Sequence, residues 1–68
     1  MKRSELLKYE GESVMLEYEN AVGLQTRGGV IKAVTMKVVI FWPLNTEKEI
    51  EIQIFFADIQ GVKNLLLT

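Results

Sequence analysis

The sequence predicts a mainly β domain, in which a short N-terminal helix is followed by five antiparallel strands that form a small barrel. Apolar and polar residues alternate with a period of two through most of the chain, which is typical of half-buried strands. A length of 68 residues is enough for one domain only. We therefore assign residues 1–68 to a single unit.

A helix is predicted over residues 4–10. Ser4 is a suitable N-cap residue, because its hydroxyl can accept a hydrogen bond from the first helical turn, and Gly11 ends the helix. A helix of about two turns is not stable without tertiary packing. We therefore expect Leu6 or Leu7 to pack into one open end of the barrel.

The strands are predicted within residues 13–67. In the first strand, one face of the alternation carries Val14, Leu16 and Tyr18. Turn residues at 19–23 lead to a second strand over 24–34, which contains Gly28 and Gly29. Glycine inside a strand marks a bulge or a bend. We expect the second strand to bend there and to contribute to both sides of the barrel.

Thr35 is a predicted turn position before the third strand. The alternation resumes at Met36 and continues to Trp42, and Pro43 ends the strand because it has no N–H to donate to the ladder. A polar loop then leads into a fourth strand over residues 49–56.

A tight turn is predicted at Ala57 and Asp58, where the alternation of the fourth strand breaks. The fifth strand then begins at Val62. The apolar tail over 65–67 either completes this strand by pairing with the first strand or lies in an interface.

The residue types exclude the usual catalytic centres. The chain contains no histidine and no cysteine, so Ser/His/Asp and Cys/His nucleophiles and the usual zinc site are absent. Paired carboxylates at Glu17 and Glu19, and at Glu49 and Glu51, could bind Ca²⁺ or share a proton. We interpret them as solvated strand faces that discourage edge-to-edge aggregation. We expect no enzyme activity, metal, cofactor or small-molecule substrate.

Charge and hydropathy indicate a cytoplasmic protein that does not enter a membrane. Eight basic and nine acidic residues give a net charge of -1, and no basic block marks a dedicated DNA binder. No apolar segment approaches the roughly 20 residues that span a bilayer. The start at Met1 is not followed by a hydrophobic run that would indicate a signal peptide.

The apolar content predicts an interface. Apolar residues make up 49% of the chain, and the run 38–42 is apolar on both faces of any strand that it forms. A small barrel cannot bury all of it, unless the N-terminal helix covers the run. We predict a homo-oligomer or a protein partner, with contacts from Val39, Phe41, Trp42 and Leu66.

Single-stranded nucleic acid is the alternative partner. Arg27 near the glycine bend and the lysines Lys32 and Lys37 around the following turn place positive charges on one predicted surface. Tyr18 or Phe41 is a candidate for stacking on a base. Scattered charges on a polar face are the competing interpretation.

The layout of the chain resembles the Sm-like barrels, a kind of SH3-like small β-barrel. The resemblance lies in the helix with its leucines, the first strand, the glycine-bent segment 27–31 and the third strand anchored by Met36. The segment 54–62 is similar to the closing motif of bacterial YolD-like proteins. This resemblance implies a five-stranded barrel and a binding role.

Two departures from the Sm-like pattern weaken the implied RNA function. RNA-binding Sm proteins carry an aspartate and a Met-Asn pair before the third strand, and only Met36 matches. Ala57 and Asp58 replace the Arg-Gly pair that precedes their last strand. The preferred hypothesis is a non-enzymatic interaction module with a regulatory or accessory role, and the alternative is an Sm-like RNA-binding protein.

Overall fold

A computed structural model describes residues 1–44 and 50–65 of the protein. They form one five-stranded antiparallel sheet with a short N-terminal helix, which confirms the mainly β prediction. The elements in chain order are α1 (Arg3–Leu6), a 3₁₀ turn (Leu7–Tyr9), β1 (Ser13–Asn20), β2 (Gly23–Val34), β3 (Val38–Pro43), β4 (Ile52–Phe55), a second 3₁₀ turn (Phe56–Asp58) and β5 (Ile59–Asn64). The strand order is β4-β3-β2-β1-β5, so the sheet is open and β4 and β5 are its edges.

The N-terminal helix is shorter than predicted and begins earlier. Ser4 lies inside α1, and Lys2 is the N-cap residue, so the predicted cap is wrong. The carboxylate of Glu5 accepts a hydrogen bond from the backbone N–H of Lys2 at 3.1 Å, which satisfies a donor at the helix start. Leu6 has no exposed surface, whereas Leu7 is 39% exposed. Of the two candidates, Leu6 is therefore the residue that packs into the core.

Hydrogen bonds tie the N-terminal segment to both halves of the sheet. The N–H of Gly11 donates to the carbonyl of Ile31 at 2.6 Å. The ammonium group of Met1 donates to the carbonyl oxygens of Phe56 and Ile59 at 2.9 and 3.2 Å. The segment thus bridges β2 and the start of β5, and it holds Leu6 against the core.

β2 pairs with different strands along its length. Its first part pairs with β1 from Gly23 to Val30, and its last part pairs with β3 from Gly29 to Val34. The β1 pairing runs through Gly28 and Gly29 without a shift, so no bulge lies there in this ladder, and the bend expected at the glycines stays a prediction. The register of β2 shifts in its β3 pairing, between Ile31 and Ala33.

Gly29 is required by a close approach of two strands. A Cβ atom at this position would overlap the carbonyl oxygen of Trp42 and would lie 2.6 Å from Cζ of Phe41. Only a residue without a side chain allows the backbone of β2 to approach β3 so closely.

The last three strands differ from prediction at their ends. β3 begins at Val38 and not at Met36, because the Thr35 hydroxyl accepts hydrogen bonds from the N–H groups of Lys37 and Val38 and holds residues 35–38 in a turn. It ends at Pro43 as predicted. β4 is shorter than predicted.

The predicted turn at Ala57 and Asp58 is confirmed as a 3₁₀ turn. β5 begins at Ile59, three residues before the predicted Val62, and it pairs with β1. The predicted polar loop and start of the fourth strand at 45–49 lie outside the described residues. Of the predicted tail 65–67, only Leu65 is described, and its N–H donates to the carbonyl of Ser13 at the start of β1 at 3.0 Å.

The core lies on the inner face of the curved sheet. The predicted face of β1 is buried there, with exposures of 0% to 5%. The buried residues are Leu6, Val14, Leu16, Tyr18, Ile31, Val34, Val39, Phe41, Ile54 and Ile59. Among the described residues no charged side chain is buried, so this face is held by apolar packing.

We predict that Gly29→Ala destabilises the fold by about 1–3 kcal/mol, because the added methyl group overlaps backbone and ring atoms that cannot move freely. Gly28→Ala is the matched control. Its methyl group meets only the ends of flexible side chains, the nearest being Cδ1 of Leu65 at 3.0 Å. Urea denaturation measures both, and equal losses would contradict this role of Gly29.

We predict that Leu6→Ala lowers the free energy of unfolding by about 2–5 kcal/mol, because it leaves a cavity where the N-terminal segment meets the core. Leu7→Ala is the control, since the Leu7 side chain is partly exposed. Thermal or urea denaturation compares the two. A loss for Leu7→Ala as large as that for Leu6→Ala would show that the helix packs differently.

Candidate interaction surface

The predicted interface residues divide between the two faces of the sheet. Val39 and Phe41 point into the core and have no exposed surface. They therefore stabilise the fold and offer nothing to a partner while it is intact. Trp42 lies on the opposite face and is half-buried, and Leu66 lies outside the described residues.

The outer face of the sheet is also apolar. Residues directly opposite each other on neighbouring strands share a face. Three such outer pairs are formed by β2, β3 and β4, namely Val30 with Trp42, Ala33 with Ile40, and Val38 with Phe55. All of these residues except Phe55 are half-buried, and Phe55 is 61% exposed.

Three further apolar side chains extend this surface toward β1 and β5. They converge above Gly28, where a Cβ atom would lie 3.0 Å from Leu65 and 3.9 Å from both Leu44 and Met15. The N–H of Leu44 donates to the carbonyl of Gly28 at 2.9 Å, which holds this group beside Trp42. We call these nine residues the outer stripe: Met15, Val30, Ala33, Val38, Ile40, Trp42, Leu44, Phe55 and Leu65.

Two charged groups hold Trp42 within the outer stripe. The Nζ atom of Lys32 lies 4.1 Å from the centroid of the Trp42 ring, which is a cation–π contact. The indole Nε1–H of Trp42 donates to Oε1 of Glu51 at 3.4 Å. The two contacts orient the ring and place one charge of each sign beside it.

The four residues predicted to contact nucleic acid do not form one surface. Tyr18 is only 5% exposed and belongs to the core. Arg27 pairs with Leu16 on the inner face and lies with Tyr18 in a groove of about 280 Å³. Lys32 lies over Trp42 on the outer face, and Lys37 lies in the turn between β2 and β3.

Val38, Ile40 and Phe55 were not among the predicted interface residues. Val38 and Ile40 lie in the apolar run 38–42 on which the interface prediction was based. Because this run has no polar residue, it does not say which face is covered. Among the described residues, no group of three acidic side chains is arranged to hold a metal ion.

Comparison of the chain with protein-family models, curated proteins and solved structures finds no match. The resemblance to Sm-like and YolD-like proteins therefore stays a prediction. Within residues 1–44 and 50–65, no helix is long and apolar enough to span a membrane.

Proposed function

We propose that this chain is a non-enzymatic interaction module with an accessory or regulatory role, which self-associates or docks on a larger protein through the outer stripe. We also propose that the five strands form a partly open barrel of the SH3-like or Sm-like kind. The observation that carries the functional proposal is that the sheet is apolar on both faces along β3 and beside it, although the chain supplies a core for only one of these faces.

The outer stripe is unusual for a sheet face in contact with water. An antiparallel sheet with one solvated face normally alternates apolar and polar residues along each strand. β3 carries apolar residues at every position, with Val39 and Phe41 inside and Val38, Ile40 and Trp42 outside. Contiguous exposed apolar patches mark sites of protein interaction. Covering the stripe removes this surface from water.

The outer face is comparable in size to one side of a typical interface. A typical stable interface buries about 800 Å² on each partner. The two longer dimensions of the molecule are 29 and 27 Å. A contact of typical size therefore needs nearly the whole of one face, and a second copy of this chain can supply an equal one.

Trp42 has the features of an interface anchor. Tryptophan contributes strongly to binding when it lies near the centre of an apolar patch. Ile40 on β3 stands two positions before Trp42, and Leu44, just after the strand, stands two positions after it, so apolar residues flank the ring. Lys32 and Glu51 hold the ring in place before binding. Such a fixed side chain loses little conformational entropy when a partner covers it.

We predict that Phe55→Glu shifts the chain to a smaller species at high micromolar concentration, because it places a charge in the covered surface. Val22→Glu is the matched control, since Val22 is 85% exposed in the turn between β1 and β2 and away from the outer stripe. Size-exclusion chromatography with light scattering measures the mass. A monomeric wild type, or equal effects of both substitutions, would contradict self-association through this face.

The nucleic-acid alternative has less support, because Arg27, Lys32 and Lys37 lie on different parts of the molecule. We predict no retardation of single-stranded poly-uridine in a gel at low salt. Binding that falls steeply with added salt would indicate phosphate contacts and would favour the alternative. If the nucleic acid no longer binds to Lys32→Ala but still binds to Lys2→Ala, its phosphates contact the surface beside Trp42.

A further inference from the structure

A groove of about 280 Å³ separates β4 from the far end of the hairpin formed by β1 and β2. Residues Ile52–Ile54 of β4 form one wall. Tyr18, Asn20 and Arg27 lie on the other wall. None of the residues that line this groove belongs to the outer stripe.

The groove follows the free edge of β4. This strand pairs with β3 on one side, and no other described strand pairs with it. Ile54 faces the core, whereas Gln53 pairs with Ile40 and faces outward. A groove that contacts both consecutive residues therefore runs along the strand edge. The N–H and C=O groups of such an edge are available to an added strand.

The opposite wall of the groove also contains strand backbone, at the end of β1, that does not pair with β5. Tyr18 is the last residue of β1 that pairs with β5, and its partner is Ile59. Glu19 and Asn20 continue β1 beyond this ladder while still pairing with β2. The sheet therefore leaves a gap between the end of β1 and the edge of β4, bounded by strands on both sides.

β4 itself carries no charge or proline, although it is short and follows an acidic residue. Edge strands are commonly protected by short length, charged side chains or proline. The described strand Ile52–Phe55 reads Ile-Gln-Ile-Phe, and Glu51 directly precedes it. The other edge, β5, carries Lys63.

We propose that this groove binds an extended peptide segment of a partner protein, which adds as a strand to the free edge of β4. The segment carries apolar side chains at alternate positions and basic side chains at the positions between them. Alternate side chains of an added strand enter the groove, where they meet the apolar groups of Tyr18, Ile52 and Ile54 on its two walls. The site is separate from the outer stripe and does not depend on its function.

The charges of the groove favour a basic segment. Glu19 and Asp58 are the two acidic residues that line it, and Arg27 is the one basic residue, so its formal charge is -1. Lysine side chains that point out of the groove can reach the carboxylates at its rim. Such rim charges select a partner and speed its association more than they add affinity.

The test uses the full chain and a fluorescein-labelled hexapeptide of alternating valine and lysine. We expect saturable binding by fluorescence anisotropy and slower hydrogen exchange at those alternate backbone amides of Ile52–Phe55 that point away from β3. Two control peptides carry N-methyl groups on one or the other set of alternate amides. Because alternate N–H groups of a strand point to opposite sides, one of these peptides should lose at least tenfold in affinity and the other should keep it.

Variants of the chain test the position of the site. Glu19→Gln should weaken peptide binding about two- to fivefold, as expected for the loss of one exposed ion pair. Glu17→Gln is the matched control, because Glu17 is exposed on the same strand but does not line this groove. Absence of saturable binding, equal affinity of both N-methyl peptides, unchanged exchange at β4, or equal effects of the two variants would overturn the proposal.

Discussion

The close approach of β2 to β3 at Gly29 is the constraint on which the rest of the structure depends. β2 pairs with β1 through its first part and with β3 through its last part, and Gly29 belongs to both pairings. A side chain at this position would overlap the backbone of Trp42 and the ring of Phe41. Beside this contact, Phe41 lies in the core and Trp42 lies on the outer face.

That placement explains why the molecule has a second apolar surface. β3 is apolar at all six positions, but a strand can direct only alternate side chains into a core. The N-terminal segment covers one end of the inner face through Leu6, and it makes its hydrogen bonds to β2 and to the start of β5. Nothing in the described chain covers Val38, Ile40 and Trp42 to the same extent. The outer stripe is the consequence.

The two proposed binding sites use different physical properties of one sheet. The outer stripe is an apolar face, so its affinity would come from surface removed from water and from the fixed Trp42 ring. The groove beside β4 is a strand edge, so its affinity would come from backbone hydrogen bonds, with side chains setting selectivity. The two sites adjoin at Phe55, which belongs to the outer stripe and ends β4.

The strands were predictable where period-two alternation was clear, and less so where local hydrogen bonds compete with the ladder. The buried face of β1 agrees with its alternation. The start of β3 does not, because the Thr35 hydroxyl holds the following residues in a turn. The glycine pair was recognised as special, but its reason is the proximity of a strand that is distant in sequence.

The sequence alone determined the β character, the turn at Ala57 and Asp58, the end of β3 at Pro43 and the excess of apolar residues, because each depends on neighbours within a few positions. Only the tertiary structure decided which face of β3 is buried, since an uninterrupted apolar run has no polar face to mark the solvent side. It also decided that Tyr18 lies in the core and that Arg27 and Lys32 are apart. These properties follow from strand register, which is set by pairing between residues far apart in the chain.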